Sequence, residues 1–296
     1  MNKHLVALLS PAGYLTDNQV VVQAQNLLRK WGFKSYVAPH ALQQHGHFAG
    51  TDAQRLSDLQ QALDNPEVAI IWALRGGYGS IRIVDKLDFA AFKKHPKLLV
   101  GFSDITILHN RMHQLGFPSL HALMPVQLLQ NPNDEVLLQT QKAMSGKAFG
   151  YEFDRDAHNW NEASFSGTLV GGNLANLYSL LGTSLDIGTS NKILFIEDVG
   201  EPLYNIDRMM IALQKAGKLT SIKALIVGQF TSIPDNDPVF GKTYQEIILE
   251  HTASYDFPII FSAPVGHITN NYPLMLGAAL QVEIKGNKVD FQQFNK

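Results

Sequence analysis

An α/β fold is expected, with an N-terminal mostly parallel sheet flanked by helices and a second, mixed α+β domain. Short apolar runs at 5–9, 33–37, 68–74 and 97–101 alternate with amphipathic helical stretches, as parallel strands joined by crossover helices do. Two of these runs stop at glycine and polar residues, Arg75-Gly76-Gly77-Tyr78-Gly79 and Gly101-Phe102-Ser103-Asp104. Such strand ends are where sites form in α/β sheets. Beyond residue 166 the order of strands and helices differs and includes a hairpin, so the second half does not repeat the first.

Residues 5–9 read as the first strand, turned by Pro11-Ala12-Gly13. From 17 to 31, Val20, Ala24, Leu27 and Leu28 recur at helical spacing opposite Gln23, Gln25 and Arg29, until Gly32 ends the helix. A second strand at 33–37 leads to a polar loop with His40, His45 and His47. Thr51-Asp52 then opens a helix towards Leu63, which Asn65-Pro66 terminates. Residues 68–74 form a buried strand, 80–87 a helical or turn-like segment, 89–94 a short helix and 97–101 a strand. The helix at 105–115 places Ile105, Leu108 and Met112 on one side.

These elements define an N-terminal domain over 1–145. The stretch 146–165 reads as a linker, because Gly146, Gly150, Asp154, Asp156, His158, Asn159, Trp160 and Asn161 interrupt any periodicity. A C-terminal domain over 166–296 follows. There Gly171-Gly172-Asn173-Leu174 leads into a helix through Leu181, and a strand at 192–196 ends in Glu197-Asp198. Helices at 206–215 and 243–251 and strands at 224–228, 259–261, 279–284 and 288–291 complete it, with Gly286-Asn287 as the hairpin turn of the last pair.

Composition narrows the chemistry. The 296 residues are 45% hydrophobic, enough for a sizeable core, and 24 Lys+Arg against 26 Asp+Glu leave a formal charge of -2. That balance provides no global field for nucleic acid or anionic lipid, so neither is expected as a partner. With no cysteine, thiol nucleophiles, disulfides and cysteine-ligated metals are excluded. The apolar stretch at 5–9 is too short for a signal peptide and no run approaches 18 apolar residues, so a cytoplasmic location is expected.

Ser103, at a strand-to-helix corner, is either a nucleophile or the cap of the following helix. As a nucleophile it would have the Asp104 N–H beside it to receive an oxyanion, and the glycines after Arg75 could supply a second donor because nothing on Cα blocks approach. The segment is not the G-x-S-x-G elbow, since Ile105 stands at the last glycine position. Neither a P-loop nor a dinucleotide fingerprint fits the glycine segments. On an extended strand end Glu197 and Asp198 face opposite ways, so one can enter a crevice while the other caps locally; Glu201 is a rival acid, or a partner of Arg208. His267, between Gly266 and the Asn270-Asn271-Tyr272-Pro273 turn, is presented by a loop and titrates in the range suited to proton transfer.

Other constellations are weaker. His109 and His113 have the i, i+4 spacing of a zinc site, but Asn110 replaces the glutamate of H-E-x-x-H, and no metal is expected. His121 either lines the crevice or ends a strand. Glu197 with Asp104 could form a glycosidase-like carboxylate pair, a reading the serine corner makes less economical. Trp31, Trp72 and Trp160 form no stripe along a basic groove.

Taken together, several segments resemble the LD-carboxypeptidases of serine peptidase family S66, which includes enzymes giving immunity to the peptide-nucleotide antibiotic microcin C. They are Ser10-Pro11-Ala12-Gly13, Gly50-Thr51-Asp52 with Arg55 and Asp58-Leu59, Arg75-Gly76-Gly77-Tyr78-Gly79, and Lys97 through Thr106. Gly171-Gly172-Asn173-Leu174, Phe195 through Glu201 and Pro264-Val265-Gly266-His267 follow in family order. The resemblance implies Ser103 as nucleophile, Glu197 and His267 as its triad partners, and the N–H groups of Asp104 and Gly77 as oxyanion donors. It implies a homodimeric, cofactor-free enzyme that removes the terminal D-alanine from a small cytoplasmic murein tetrapeptide, cutting next to the L-centre of a diamino acid. Arg75 is a candidate for gripping an anionic group of such a peptide, or else stiffens the glycine loop. Where relatives have His-Gly-Pro, this chain has His121-Ala122-Leu123-Met124-Pro125, a departure that bears on crevice shape. Two rivals keep much of this pattern: a microcin-type hydrolase of aminoacyl-nucleotide amides with the same triad, and a two-domain protein that closes on a peptide without cutting it.

Overall fold

Two sheets organise the computed structural model, which describes residues 5–158, 163–234 and 237–293. The N-terminal half contributes β1 (Leu5–Leu9), α1 (Gln19–Lys30), β2 (Lys34–Val37), α2 (Asp52–Asp64), β3 (Val68–Ala73), α3 (Ala90–Lys94), β4 (Leu98–Gly101), α4 (Thr106–Gln114), β5 (Ser119–His121) and α5 (Asp134–Met144). The remainder supplies β6 (Phe149–Asp154), β7 (Ala163–Asn173), α6 (Leu174–Ser179), β8 (Ile193–Val199), α7 (Leu203–Lys215), β9 (Ala224–Thr231), α8 (Tyr244–Thr252), β10 (Ile259–Ile260), β11 (Leu274–Leu276), β12 (Ala279–Lys285) and β13 (Lys288–Gln293). The α/β class with one mostly parallel sheet and a second mixed domain is what the chain adopts.

The first sheet has the order β11-β5-β4-β3-β1-β2 and is parallel except for β11. Apart from the edge strand β2, its strands are mostly apolar and buried on both faces because helices cover both sides. Thr51 starts α2 as the sequence predicts, with its hydroxyl accepting from the Gln54 N–H while the Gln54 side chain receives the Thr51 N–H. Trp31 and Trp72, far apart in sequence, stack with ring centroids 6.4 Å apart, and the Trp72 indole donates to the Leu123 carbonyl. The pair is packing in the core.

The second sheet has the order β10-β9-β8-β7-β12-β13-β6. Its first four strands are parallel and its last three pair antiparallel. Part of the stretch expected to link the domains is strand β6, paired with β13 along its length. Its signal was the alternation of buried Phe149, Tyr151 and Phe153 with the more exposed Gly150, Glu152 and Asp154, a period-two pattern hidden among polar residues. Asn159, Trp160 and Asn161 lie outside the described residues, as does Met1 through His4. Residues 163–173 also form a strand rather than only a lead into a helix, and β11 crosses back to close the first sheet against β5.

Against the end of β4 and the start of β5, His109 is fully buried; its Nε2–H donates to the Gly101 carbonyl and its Nδ1 accepts from the Ser119 hydroxyl. Burial pushes its pKa down to about 4, against the raising effect of the Gly101 carbonyl. The unfolded chain therefore binds a proton near pH 6.5 that the folded chain refuses until about pH 4, so stability is complete above 6.5 and declines as pH falls through this window. At roughly 1.4 kcal/mol per pH unit, about 3 kcal/mol is lost. Urea unfolding at several pH values between 7 and 4 should show this slope, and H109Q should reduce it, leaving the part due to buried His121, whose pKa burial also lowers.

Candidate active site

The site starts at the corner after β4. Phe102 is extended and Ser103 adopts φ +63, a left-handed conformation that costs a non-glycine residue about 1–3 kcal/mol. A single tight turn at Ser103–Ile105 then enters α4, whose N-terminus has no side-chain cap. The helix-cap alternative for Ser103 is thus not the one adopted: its hydroxyl instead faces the second domain.

There His267 meets it, with Nε2 3.0 Å from Ser103 Oγ. On the other side of the ring, Nδ1 lies 2.7 Å from Glu197 Oε2. Because a carboxylate only accepts, Nδ1 carries the proton and Nε2 is left to accept from the serine hydroxyl. Glu197 is fully buried at the end of β8, where the register with β9 shifts between Ile196 and Asp198. A bulge of this kind re-aims a side chain at a strand end. Gly266 lets His267 come this close: it has φ +124, and a Cβ there would stand 2.8 Å from Glu197 Oε2.

The neighbouring acids separate into different tasks. Asp198 points the other way, accepting from Asn173 Nδ2 at 2.8 Å and from the N–H groups of Val199 and Ala175 at 2.8 and 2.9 Å. Burial and the adjacent Glu197 charge push it up to about 7, although these donors pull in the opposite sense. Glu201 accepts locally from Asn205 Nδ2 at 2.9 Å, and Arg208 lies over the Tyr204 ring instead of pairing with it. Asp104 is buried and accepts the Ser80 N–H at 2.8 Å, so it and Glu197 are engaged separately and form no carboxylate pair. Burial raises the Asp104 pKa against the Ser80 and Gly79 donors and the Arg55 charge.

The glycine loop after β3 flanks the hydroxyl. A Cβ on Gly76 would lie 3.2 Å from Ser103 Oγ, and one on Gly77, at φ +105, 3.2 Å from the Gly13 Cα. The Gly13 N–H donates to the Gly76 carbonyl at 2.9 Å, binding this loop to the one after β1. Arg75 donates to the Tyr14 carbonyl at 2.7 Å and stacks over the Tyr14 ring, so it ties the two loops together and stiffens the glycine loop. Arg55 is buried below, donating to the Pro11 and Gly79 carbonyls and pairing with Asp52.

For His267, burial disfavours the imidazolium, but the Glu197 charge and hydrogen bond, with Asp198 behind them, outweigh it and raise the pKa above the usual value. His121 ends β5 fully buried, its ring against Phe102 and Phe195, and it does not line the crevice. His40 is paired with Asp58 at 2.8 Å. Among the described residues no group of three or more His, Asp or Glu side chains is placed to hold a metal ion. No described helix is long and apolar enough to cross a membrane.

Sequence reasoning missed the residues that join the halves at this point. The Asn173 N–H donates to Thr106 Oγ1 at 3.0 Å, Asn176 Nδ2 to the Ser103 carbonyl at 3.4 Å, and Gln127 Nε2 to the Ile268 carbonyl at 3.1 Å. Asparagine after a strand's glycine pair was legible as a helix cap, and Asn173 does cap α6, but the cross-domain partners leave no local signal.

With this geometry in view, comparison with known proteins is specific. Residues 6–122 match the family model of the LD-carboxypeptidase N-terminal domain, and residues 166–282 that of the LD-carboxypeptidase C-terminal domain. A probable murein peptide carboxypeptidase of Bacillus subtilis is 30% identical over 284 residues, covering 92% of this chain and 86% of that one. The murein tetrapeptide carboxypeptidase of Pseudomonas aeruginosa is 28% identical over 293 residues, covering 96% and 94%. The crystal structure of muramoyltetrapeptide carboxypeptidase from Oxalobacter formigenes superposes with a TM-score of 0.86 at 27% identity, covering 98% of both chains.

Proposed function

The chain belongs to the LD-carboxypeptidase family, S66, and from that premise we propose that it is a metal-independent serine carboxypeptidase releasing D-alanine from murein tetrapeptide in the cytoplasm. The observation that carries this is the unbroken chain Ser103 Oγ, His267, Glu197 at 3.0 and 2.7 Å. Its elements need nothing else to move a proton and form an ester.

In this reading His267 takes the Ser103 proton as Oγ attacks the carbonyl between the L-centre of the diamino acid and the D-alanine. The negative charge on the carbonyl oxygen is received by the N–H groups of Asp104 and Gly77. His267 passes the proton to the amine of the departing D-alanine, leaving an acyl-enzyme. Water then loses a proton to His267 and attacks the ester, and the same proton returns to Ser103 as the shortened peptide leaves. Glu197 holds the imidazole in the required tautomer and offsets its transient charge. Arg75, beside the glycine loop, offers its remaining N–H groups to the terminal carboxylate of the peptide.

The test is incubation of wild type and S103A with free murein tetrapeptide in EDTA, following D-alanine by mass spectrometry. Release by wild type that survives chelation and disappears in S103A is expected. No release by wild type, with turnover of an aminoacyl-nucleotide amide instead, would replace the substrate; release by S103A would remove the nucleophile.

A further inference from the structure

We propose that Asn176 is a positioning residue that aims the Asp104 N–H at the oxyanion from across the domain boundary; this rests on the acyl-transfer reading above. The Ser103 carbonyl and the Asp104 N–H are opposite ends of one planar amide. A donor on the carbonyl oxygen therefore sets the direction of the N–H, and polarises the amide so that the N–H is the stronger donor. Asn176 Nδ2, 3.4 Å from Ser103 O, is that donor.

Its own orientation is held from the second domain. The Asn176 carboxamide has two N–H bonds, and besides Ser103 O it reaches Asn173 Oδ1 at 2.8 Å. Asn173 Nδ2 in turn donates to Asp198 Oδ1 at 2.8 Å, and Asp198 is fastened by the Val199 and Ala175 N–H groups. A line of dipoles thus runs from a buried carboxyl, through two carboxamides, to the peptide after the strained serine. Neither domain holds all of it. The left-handed φ of Ser103 makes such a clamp necessary, since a strained peptide keeps its direction only where its surroundings over-determine it. The cap of α6 does not depend on the Asn176 side chain, because Asn173 Oδ1 receives the Asn176 backbone N–H at 3.1 Å.

The experiment compares wild type, N176A and N176D. Aspartate keeps the shape but turns an acceptor towards Ser103 O. Loss of aim acts only where charge develops, so kcat should fall about 10- to 100-fold with KM within about twofold, less than the loss of a whole oxyanion donor. The acid limb of the pH profile should stay in place, as His267 and Glu197 are untouched, and N176D should be at least as slow as N176A. A kcat within twofold of wild type in N176A overturns the proposal, as does a loss that comes with a shifted acid limb or a matching rise in KM. Ser103 modification by a fluorophosphonate, followed by intact mass, separates this from the substrate assignment. If wild type releases no D-alanine, the substrate reading fails alone, and equal labelling rates in wild type and N176A, or no labelling of wild type, sink the clamp.

Discussion

Replacing Ser103 by glycine is expected to abolish D-alanine release and at the same time make the protein more stable. In the proposed mechanism the Ser103 hydroxyl is the atom that forms the acyl-enzyme, so its removal should lower kcat/KM by about 10⁴-fold or more. Ser103 also sits at φ +63, where glycine is unstrained. Relief of that strain is worth about 1 kcal/mol, which raises the thermal midpoint by roughly 2–4 °C in a unit of this size. S103A is the control, since alanine loses the hydroxyl but keeps the strain. Both variants should be inactive, and only the glycine variant should melt higher. A glycine variant that melts no higher than S103A would show that the corner stores no conformational energy.

The second large effect is expected for Glu197→Gln. The amide fills the same buried space yet can turn an N–H towards His267, which stabilises the wrong tautomer and offers no charge to the imidazolium. A kcat loss of about 10³- to 10⁴-fold follows by analogy with the corresponding substitution in serine protease triads. The pH profile carries the more specific signature. His267 is raised because Glu197 and Asp198 outweigh burial, so in wild type the acid limb of kcat/KM should lie above the ordinary value near 6.5. In E197Q burial is opposed by much less, and the residual activity should lose its acid limb to lower pH. The stability linkage has the same origin. A raised histidine pKa stabilises the fold fully below the unfolded value and ceases to do so as pH rises through the folded one. E197Q should therefore lose stability mainly on the acid side. An unmoved limb in E197Q would assign the raised pKa to some other group.

Much of the site was legible because its parts are signalled locally. A strand that stops at Gly101 and continues as a helix two residues beyond Ser103 announces a corner. Alternation along a strand end separates Glu197 from Asp198, and a glycine before His267 announces a loop. The first sheet was readable for the same reason, as each apolar run lies next to its helix. Strand β6 was obscured because its three aromatic residues stand among glycine and acids in a stretch of irregular composition. Strand β11, three residues long, has its pairing partner β5 more than 150 residues earlier, and nothing near it in sequence reports that.

By itself the chain determined its α/β class, its strand-end corners and the residue types offered there, because backbone sterics and side-chain periodicity act between near neighbours. Only the tertiary structure decided which acid serves His267. Glu197, Asp198 and Glu201 are within five positions of one another, and the register shift between β8 and β9 turns the first towards the imidazole and leaves the second to Asn173. It also decided that Ser103 is completed from elsewhere, by His267 at 3.0 Å and Asn176 at 3.4 Å. Such contacts come from packing two sheets against each other, and local propensity carries no information about them.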